Sequence, residues 1–275
     1  MARFDVIAFD ADDTLWHNER LYAQAQEAFR QLLAQYHSPA WIDQRLYATE
    51  MRNLQHFGYG IKAFALSMIE TAVELTEGRI QGSDIQRIID IARTMLTAEV
   101  ELLDHVAATL MSAAQSYPLM VITKGDLRDQ ELKIAQSGLA QYFRYVEIVS
   151  DKSRDSYASL LRHHTINPAR FLMVGNSLRS DILPVLALGA SAVYIPYHLT
   201  WAHEHDTPPQ ADHPGYYQLE HMGELPALLA RLDAIDLSGF VLPVIEPSAG
   251  ERERHDALLA ELDKASGGKT VWRSL

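Results

Sequence analysis

The chain has 275 residues, 48% hydrophobic and 22% charged, an ordinary composition for a folded globular protein with room for one large or two modest domains. It contains no cysteine, which excludes disulfides, thiolate nucleophiles and cysteine-held zinc or iron–sulfur centres. A net charge of −12 argues against non-specific binding to nucleic acid or an anionic membrane, and no apolar run reaches the length of a membrane span.

The first predicted element is Val6 to Phe9, a short apolar run that reads as a central parallel strand. The chain enters this strand without the basic, apolar, small-residue order of a signal peptide, so a cytoplasmic location is the expectation. Asp10, Asp12 and Asp13 then crowd three negative charges into four positions. Their repulsion calls for a counter-ion. Mg²⁺ is the economical choice, being hard, oxygen-loving and usually held by one or two carboxylates plus substrate phosphate. The alternative is that Asp12 or Asp13 caps the next helix.

A helical stretch follows, from Trp16 to about Leu103. Leu21, Ala25, Ala28, Phe29, Leu32, Leu33 and Tyr36 fall on one helical face. Ser38 and Pro39 predict the start of a second helix, N-cap then proline, ending before Gly58. Ile61, Phe64, Ala65, Met68, Ile69, Ala72 and Val73 mark a third, stopped near Gly78. Ser83 with Gln86 has capping-box spacing and predicts a fourth, striped by Ile85, Ile88, Ile89, Ala92, Met95 and Leu96. Four amphipathic helices in succession predict a small antiparallel bundle.

The pattern then alternates. Helix 104–115 leads to strand 118–122, and helix 127–137 ends at Gly138, a C′ glycine. Strand 145–149, a helix to His164, strand 170–174, a helix ending at Gly189 and strand 191–195 follow. Together with the first strand they predict an α/β fold, a Rossmann-like parallel sheet with helices on both faces. The expected domains are an α/β core of residues 1–15 and 104–235, an inserted α-helical cap of 16–103 and a C-terminal extension of 236–275. Residues 197–221 lack periodicity and read as a long loop. Helices over about 224–233 and 250–265 complete the chain.

In open parallel sheets, ligands bind outside the carboxyl ends of the strands. Four strand ends carry polar groups here: Asp10 with Asp12, Thr123, Lys152, and Asn176 with Asp181. Taken singly, Thr123 can be an ordinary strand-end residue and Lys152 a solvated lysine at a helix start. Asp181 can be a first-turn acid, with Ser180 as N-cap. Four such coincidences point instead to one site combining a carboxylate nucleophile, a hydroxyl, an ammonium and a metal-binding acid.

These residues resemble the motifs of the haloacid dehalogenase (HAD) superfamily of aspartate-nucleophile hydrolases. Asp10-Ala11-Asp12-Asp13-Thr14 matches the first motif, Val121-Ile122-Thr123 the second and Lys152 the third, while Gly175 to Asp181 resembles the fourth. The resemblance covers residues 3–15 and about 104–196, and the helical insert sits where the family places a C1-type cap. It implies a Mg²⁺-dependent phosphatase acting on a small phosphorylated metabolite through an aspartyl-phosphate. Asp10 would attack phosphorus. Asp12 would protonate the leaving oxygen and then activate water. Thr123, Lys124 and Lys152 would bind the phosphoryl group, and Asp10, Asp12 through its backbone carbonyl, Asn176 and Asp181 would hold Mg²⁺. Lys152 and the metal would offset the repulsion between an acidic protein and an anionic substrate.

Asn176 departs from the family pattern, since many relatives carry an acid there; an amide oxygen ligates but brings no charge. Two alternatives remain open. A 2-haloacid dehalogenase needs the nucleophile but neither metal nor leaving-group acid, and a non-catalytic ligand-binding protein could keep the same fold. A phosphonatase would need a Schiff-base lysine from the cap, where Lys62 is the only lysine and is expected on a helix surface. Gly268-Lys269-Thr270 lacks the P-loop glycine, which would fall at Asp263. His203, His205 and His213 match no metal-ligand spacing. Trp16, His17, His56, Phe57, Tyr59 and Lys62 are positioned in the sequence to read the leaving group. Substrate identity and oligomeric state are not encoded in any motif.

Overall fold

The structure, a computed structural model, describes residues 3–234. The expected helix over 250–265 and the C-terminal extension lie outside the described residues. In chain order, β1 (Val6–Phe9) is followed by α1 (Glu19–Leu33), α2 (Pro39–Phe57), α3 (Ile61–Leu75) and α4 (Gly82–Leu96). Next come α5 (Val106–Ala113), β2 (Leu119–Lys124), α6 (Leu127–Gln136), β3 (Phe143–Val149), α7 (Arg154–His163) and β4 (Phe171–Gly175). A wide helical turn over Leu178–Ile182 leads into α8 (Leu183–Leu186), then β5 (Ser191–Tyr194), β6 (Tyr216–Gln218) and α9 (Leu225–Asp233).

The strands form one parallel sheet in the order β3-β2-β1-β4-β5-β6. Side chains alternate across it. Ile7 and Phe9 pack with Leu110 of α5 and with Leu225, Leu228 and Leu229 of α9. Val6 and Ala8 meet Tyr157, Leu160 and Leu161 of α7 and Val185 and Leu186 of α8. Both faces are therefore covered, which is why β1 is apolar at every position rather than alternating. The fold is α/β and Rossmann-like. Because β1 lies between β2 and β4, the chain reverses its direction of winding between β1 and β4, and Asp10 leaves the sheet at that switch point.

Helices α1 to α4 share a separate core. Phe29 and Leu33 of α1, Ile42 and Leu46 of α2, Phe64 and Met68 of α3, and Ile88 and Ala92 of α4 are all buried in it. Burying a large apolar side chain contributes about 1.5–3 kcal/mol, so this cluster, rather than helix propensity, holds the helices together.

Three local details differ from expectation. Helix α4 begins at Gly82 with Gln81 as its N-cap, so Ser83 falls inside the first turn and forms no cap. The turn after β4 is capped by Ser177, whose Oγ accepts from Ser180 N at 3.0 Å, and not by Ser180. Residues 197–221 contain β6, which pairs parallel with β5 at the sheet edge and is too short to reveal a two-residue period. Among the described residues, no helix is long and apolar enough to cross a membrane.

Candidate active site

Beyond β1, the Asp10 N–H donates to Val174 O at 2.9 Å, which holds the residue against the end of β4. The chain then tightens into a turn, with Leu15 N donating to Ala11 O at 2.8 Å. Asp13 adopts φ 62° and turns its carboxylate onto the N–H groups of Asn18 (2.8 Å) and Glu19 (3.0 Å). It thereby meets the unsatisfied donors at the start of α1. Thr14 Oγ1 donates to Asp10 Oδ2 at 2.9 Å and lies 3.2 Å from Asn176 Oδ1.

Lys152 stands just before α7, whose start is fixed by a capping box between Ser153 and Ser156. Its ammonium is buried and bonds Asp10 Oδ1 and, at 2.8 Å, Asp181 Oδ1. Asp181 Oδ2 accepts from Ser177 N at 3.0 Å. The position needs Gly175: a Cβ there would lie 2.4 Å from the Asp181 carboxyl carbon. One ammonium thus serves two buried carboxylates. Burial pushes the Asp10 carboxyl up against the opposing pull of Lys152, and the charge of Asp181 pushes it the same way. Asp10, Asp181 and the Asn176 amide supply hard oxygen donors around a net negative charge, a set that fits a small divalent cation. Among the described residues no three His, Cys, Asp or Glu side chains form a metal-holding group, so such a site relies on the amide and on backbone oxygen.

Asp12 points to different partners. It accepts from Trp16 Nε1 at 2.7 Å, Gln130 Nε2 at 2.9 Å and Lys133 Nζ at 3.2 Å. Gln130 and Lys133 come from α6, and Lys133 also donates to Asn18 Oδ1 at 2.9 Å. Gly125, at φ 141°, lets the β2–α6 connection pass close to Gln130; a Cβ there would sit 3.1 Å from Gln130 Nε2.

Thr123 ends the buried part of β2. The ammonium of Lys124 donates to Ser180 Oγ at 2.8 Å, pairs with Glu204 and lies 4.3 Å from the centre of the Tyr59 ring. Glu204 also accepts from Ser177 Oγ and Ser180 Oγ, both at 2.5 Å. Burial opposes its ionisation, but Lys124 and these hydroxyls hold its carboxyl down at about 2.

These groups share one cavity of about 150 Å³. Asp10, Asp12, Thr123, Lys124, Lys152, Asn176 and Asp181 all line it, and α1 and α2 contribute Glu19, Tyr22, Glu50 and Asn53. Of the residues expected to read the leaving group, only Tyr59 lines this cavity. Trp16 is buried beneath Asp12, His17 Nδ1 shares a hydrogen bond with Tyr197 Oη at 2.7 Å, and His56 and Phe57 are exposed. Lys62 is exposed and pairs with Asp126 at 2.8 Å. His203 packs against Trp201 with ring centres 4.8 Å apart. Sequence reasoning missed Gln130, Lys133, Glu204, Glu19 and Glu50. The one usable signal was the polar stripe of Glu19, Tyr22 and Gln26 at i, i+3 and i+7 on α1.

A family model described as haloacid dehalogenase-like hydrolase matches residues 4–189. The crystal structure of a haloacid dehalogenase-like family hydrolase from Xanthomonas campestris is 43% identical, with a TM-score of 0.76 over 84% of this chain and 93% of that one. A 2-haloacid dehalogenase from Pseudomonas syringae pv. tomato is 22% identical, with a TM-score of 0.55 over 83% and 99% of the two chains. The magnesium-bound form of YfnB from Bacillus subtilis is 16% identical, with a TM-score of 0.59 over 82% and 99%. The last two share the fold. No curated protein matches the chain.

Proposed function

The chain belongs to the haloacid dehalogenase-like hydrolases, and on that premise we propose that it is a Mg²⁺-dependent phosphomonoesterase acting on a small phosphorylated metabolite. The observation that carries this reading is the second acid of the turn: Asp12 lines the same cavity as Asp10, with three donors holding its carboxylate in place. Displacement of a halide needs no such acid, because the leaving group departs as an anion without a proton.

In this reading the Asp10 carboxylate attacks phosphorus and the ester P–O bond breaks, giving an aspartyl-phosphate. A proton from Asp12 passes to the departing oxygen. Asp12 then takes a proton from water, which attacks the same phosphorus, releases phosphate and restores Asp10. Thr123 and Lys152 bind the phosphoryl oxygens, and Lys124 stands beside them, its ammonium anchored by Glu204. Asp10, the Asp12 carbonyl, Asn176 and Asp181 would hold Mg²⁺, which supplies positive charge to the nucleophile and the transferring group. Residues 16–103 act as an α-helical cap that closes over the core of 1–15 and 104–235 and excludes water.

One observation favours the rival, 2-haloacid hydrolysis: Lys152 bridges Asp10 and Asp181 and so supplies part of the positive charge that the two carboxylates call for. A single panel decides. Phosphate release from phosphorylated metabolites, with and without Mg²⁺, is expected from the wild type and lost in Asp10→Asn. Halide release from 2-haloacids that is independent of Mg²⁺, with no phosphate release from any ester, would overturn the phosphatase reading.

A further inference from the structure

The cavity is lined by eight acids and three lysines. Every lysine is committed: Lys152 to Asp10 and Asp181, Lys133 to Asp12 and Asp129, Lys124 to Glu204. Asp13 is satisfied by backbone N–H groups. That leaves Glu19 at the start of α1 and Glu50 in α2, whose carboxylates have no hydrogen bond or ion pair among the described residues. Burial pushes Glu19 up to about 7 and Glu50 to about 8, with the charge of Glu19 adding to the effect on Glu50.

A second feature of the cavity asks for a donor as well. Gln130 is 2% exposed, and its amide is oriented by donation from Nε2 to Asp12 Oδ2 at 2.9 Å and to Lys124 O at 3.4 Å. That orientation leaves Oε1 buried without a partner, a condition that is uncommon in folded proteins. Tyr22, inclined at 60° to Phe64 with ring centres 5.0 Å apart, adds an aromatic wall of the kind that attracts cations.

We propose that the substrate is a phosphomonoester whose leaving group carries an amine, its ammonium held by Glu19 and Glu50 of the cap helices. An ammonium brings N–H donors and the positive charge that Glu19 and Glu50 lack, and its arrival favours their ionised form. In their ionised form the same two groups repel a leaving group that ends in a carboxylate, so discrimination then acts in both directions. The reaction is unchanged: ester and water give inorganic phosphate and an amino alcohol. The inference rests on the phosphomonoesterase reading for the phosphate end alone.

The test uses matched pairs: O-phosphoethanolamine against ethyl phosphate, and glucosamine 6-phosphate against glucose 6-phosphate, with phosphoglycolate as the anionic comparison. Phosphate release gives kcat/KM, and titration calorimetry gives Kd independently, for the full chain and for Glu50→Gln and Glu19→Gln/Glu50→Gln. The amine member of a pair is expected to be favoured about tenfold or more, as for one charge-assisted contact. The ratio should shrink in the single variant and approach one in the double. A ratio near one in the wild type, or one that survives the double substitution, overturns the amine site. Preferential binding of the amine without phosphate release would uphold that site and overturn the phosphatase. Phosphate release without preference would do the reverse. Should the double variant not fold, the wild-type ratio and the isosteric Glu50→Gln still decide.

Discussion

Glu50→Gln should stabilise the protein, and increasingly so as pH rises above about 4.5. The carboxyl faces the cavity from α2, near Glu19 and without a cationic partner, and its pKa rises from 4.5 to about 8. A carboxyl raised in the folded state binds its proton more tightly there than in the unfolded chain. Its penalty is therefore absent below about pH 4.5, grows as pH rises, and is complete once the folded group ionises above about pH 8. At about 1.4 kcal/mol per pH unit, the displacement is worth at most about 5 kcal/mol. Solvent at the cavity reduces that to about 1–2 kcal/mol. Glutamine keeps the shape and cannot ionise. In thermal unfolding the variant should match the wild type near pH 4.5 and exceed it by roughly 2–8 °C near pH 9, using about 2–4 °C per kcal/mol for a chain of this size. Titration of groups that do not interact with Glu50 cancels in the difference between the two proteins. A difference independent of pH, or a variant less stable than the wild type at pH 9, would refute the reasoning.

Glu204→Gln runs in the opposite direction. The folded carboxyl sits at about 2 against an ordinary 4.5, so its contribution is present above about pH 4.5 and lost as pH falls toward 2. The variant should be about 1–3 kcal/mol less stable at pH 7 and indistinguishable from the wild type near pH 2, as urea unfolding at the two pH values would read. Gly175→Ala drives a Cβ to 2.4 Å from the Asp181 carboxyl, so the carboxylate must leave its place beside Lys152. Turnover should fall by about a hundredfold or more, with a stability loss of about 1–3 kcal/mol from overpacking. Full activity in this variant would dissociate Asp181 from the reaction.

The parallel sheet made half of this site legible. A strand buried on both faces is an uninterrupted apolar run, so its carboxyl end is marked by the first polar residue: Asp10 after Phe9, and Thr123 after Ile122. Asn176 and Asp181 follow β4 for the same reason, and the topology then collects them at one edge. The partners of Asp12 carry no such mark. Gln130 and Lys133 lie 118 and 121 residues away, on a helix whose polar residues look solvated in the sequence. Glu204 comes from a segment without periodicity, where no rule of spacing applies. Glu19 and Glu50 are acids on amphipathic helices, ordinarily the exposed face. Only the docking of the helices over the sheet turns them inward.

Charge explains why the departure at Asn176 is tolerable and where its consequence falls. An acid there would have placed a third carboxylate near the single ammonium of Lys152, beside Asp10 and Asp181, in a cavity where acids already outnumber lysines eight to three. The amide keeps an oxygen 3.2 Å from Thr14 Oγ1 and adds no repulsion. A phosphate ester entering this cavity brings further negative charge, which buried lysines already paired to carboxylates answer only in part. On the phosphomonoesterase reading, the remaining positive charge would arrive from outside the chain: a divalent cation beside Asp10, and an ammonium on the substrate itself beside Glu19 and Glu50.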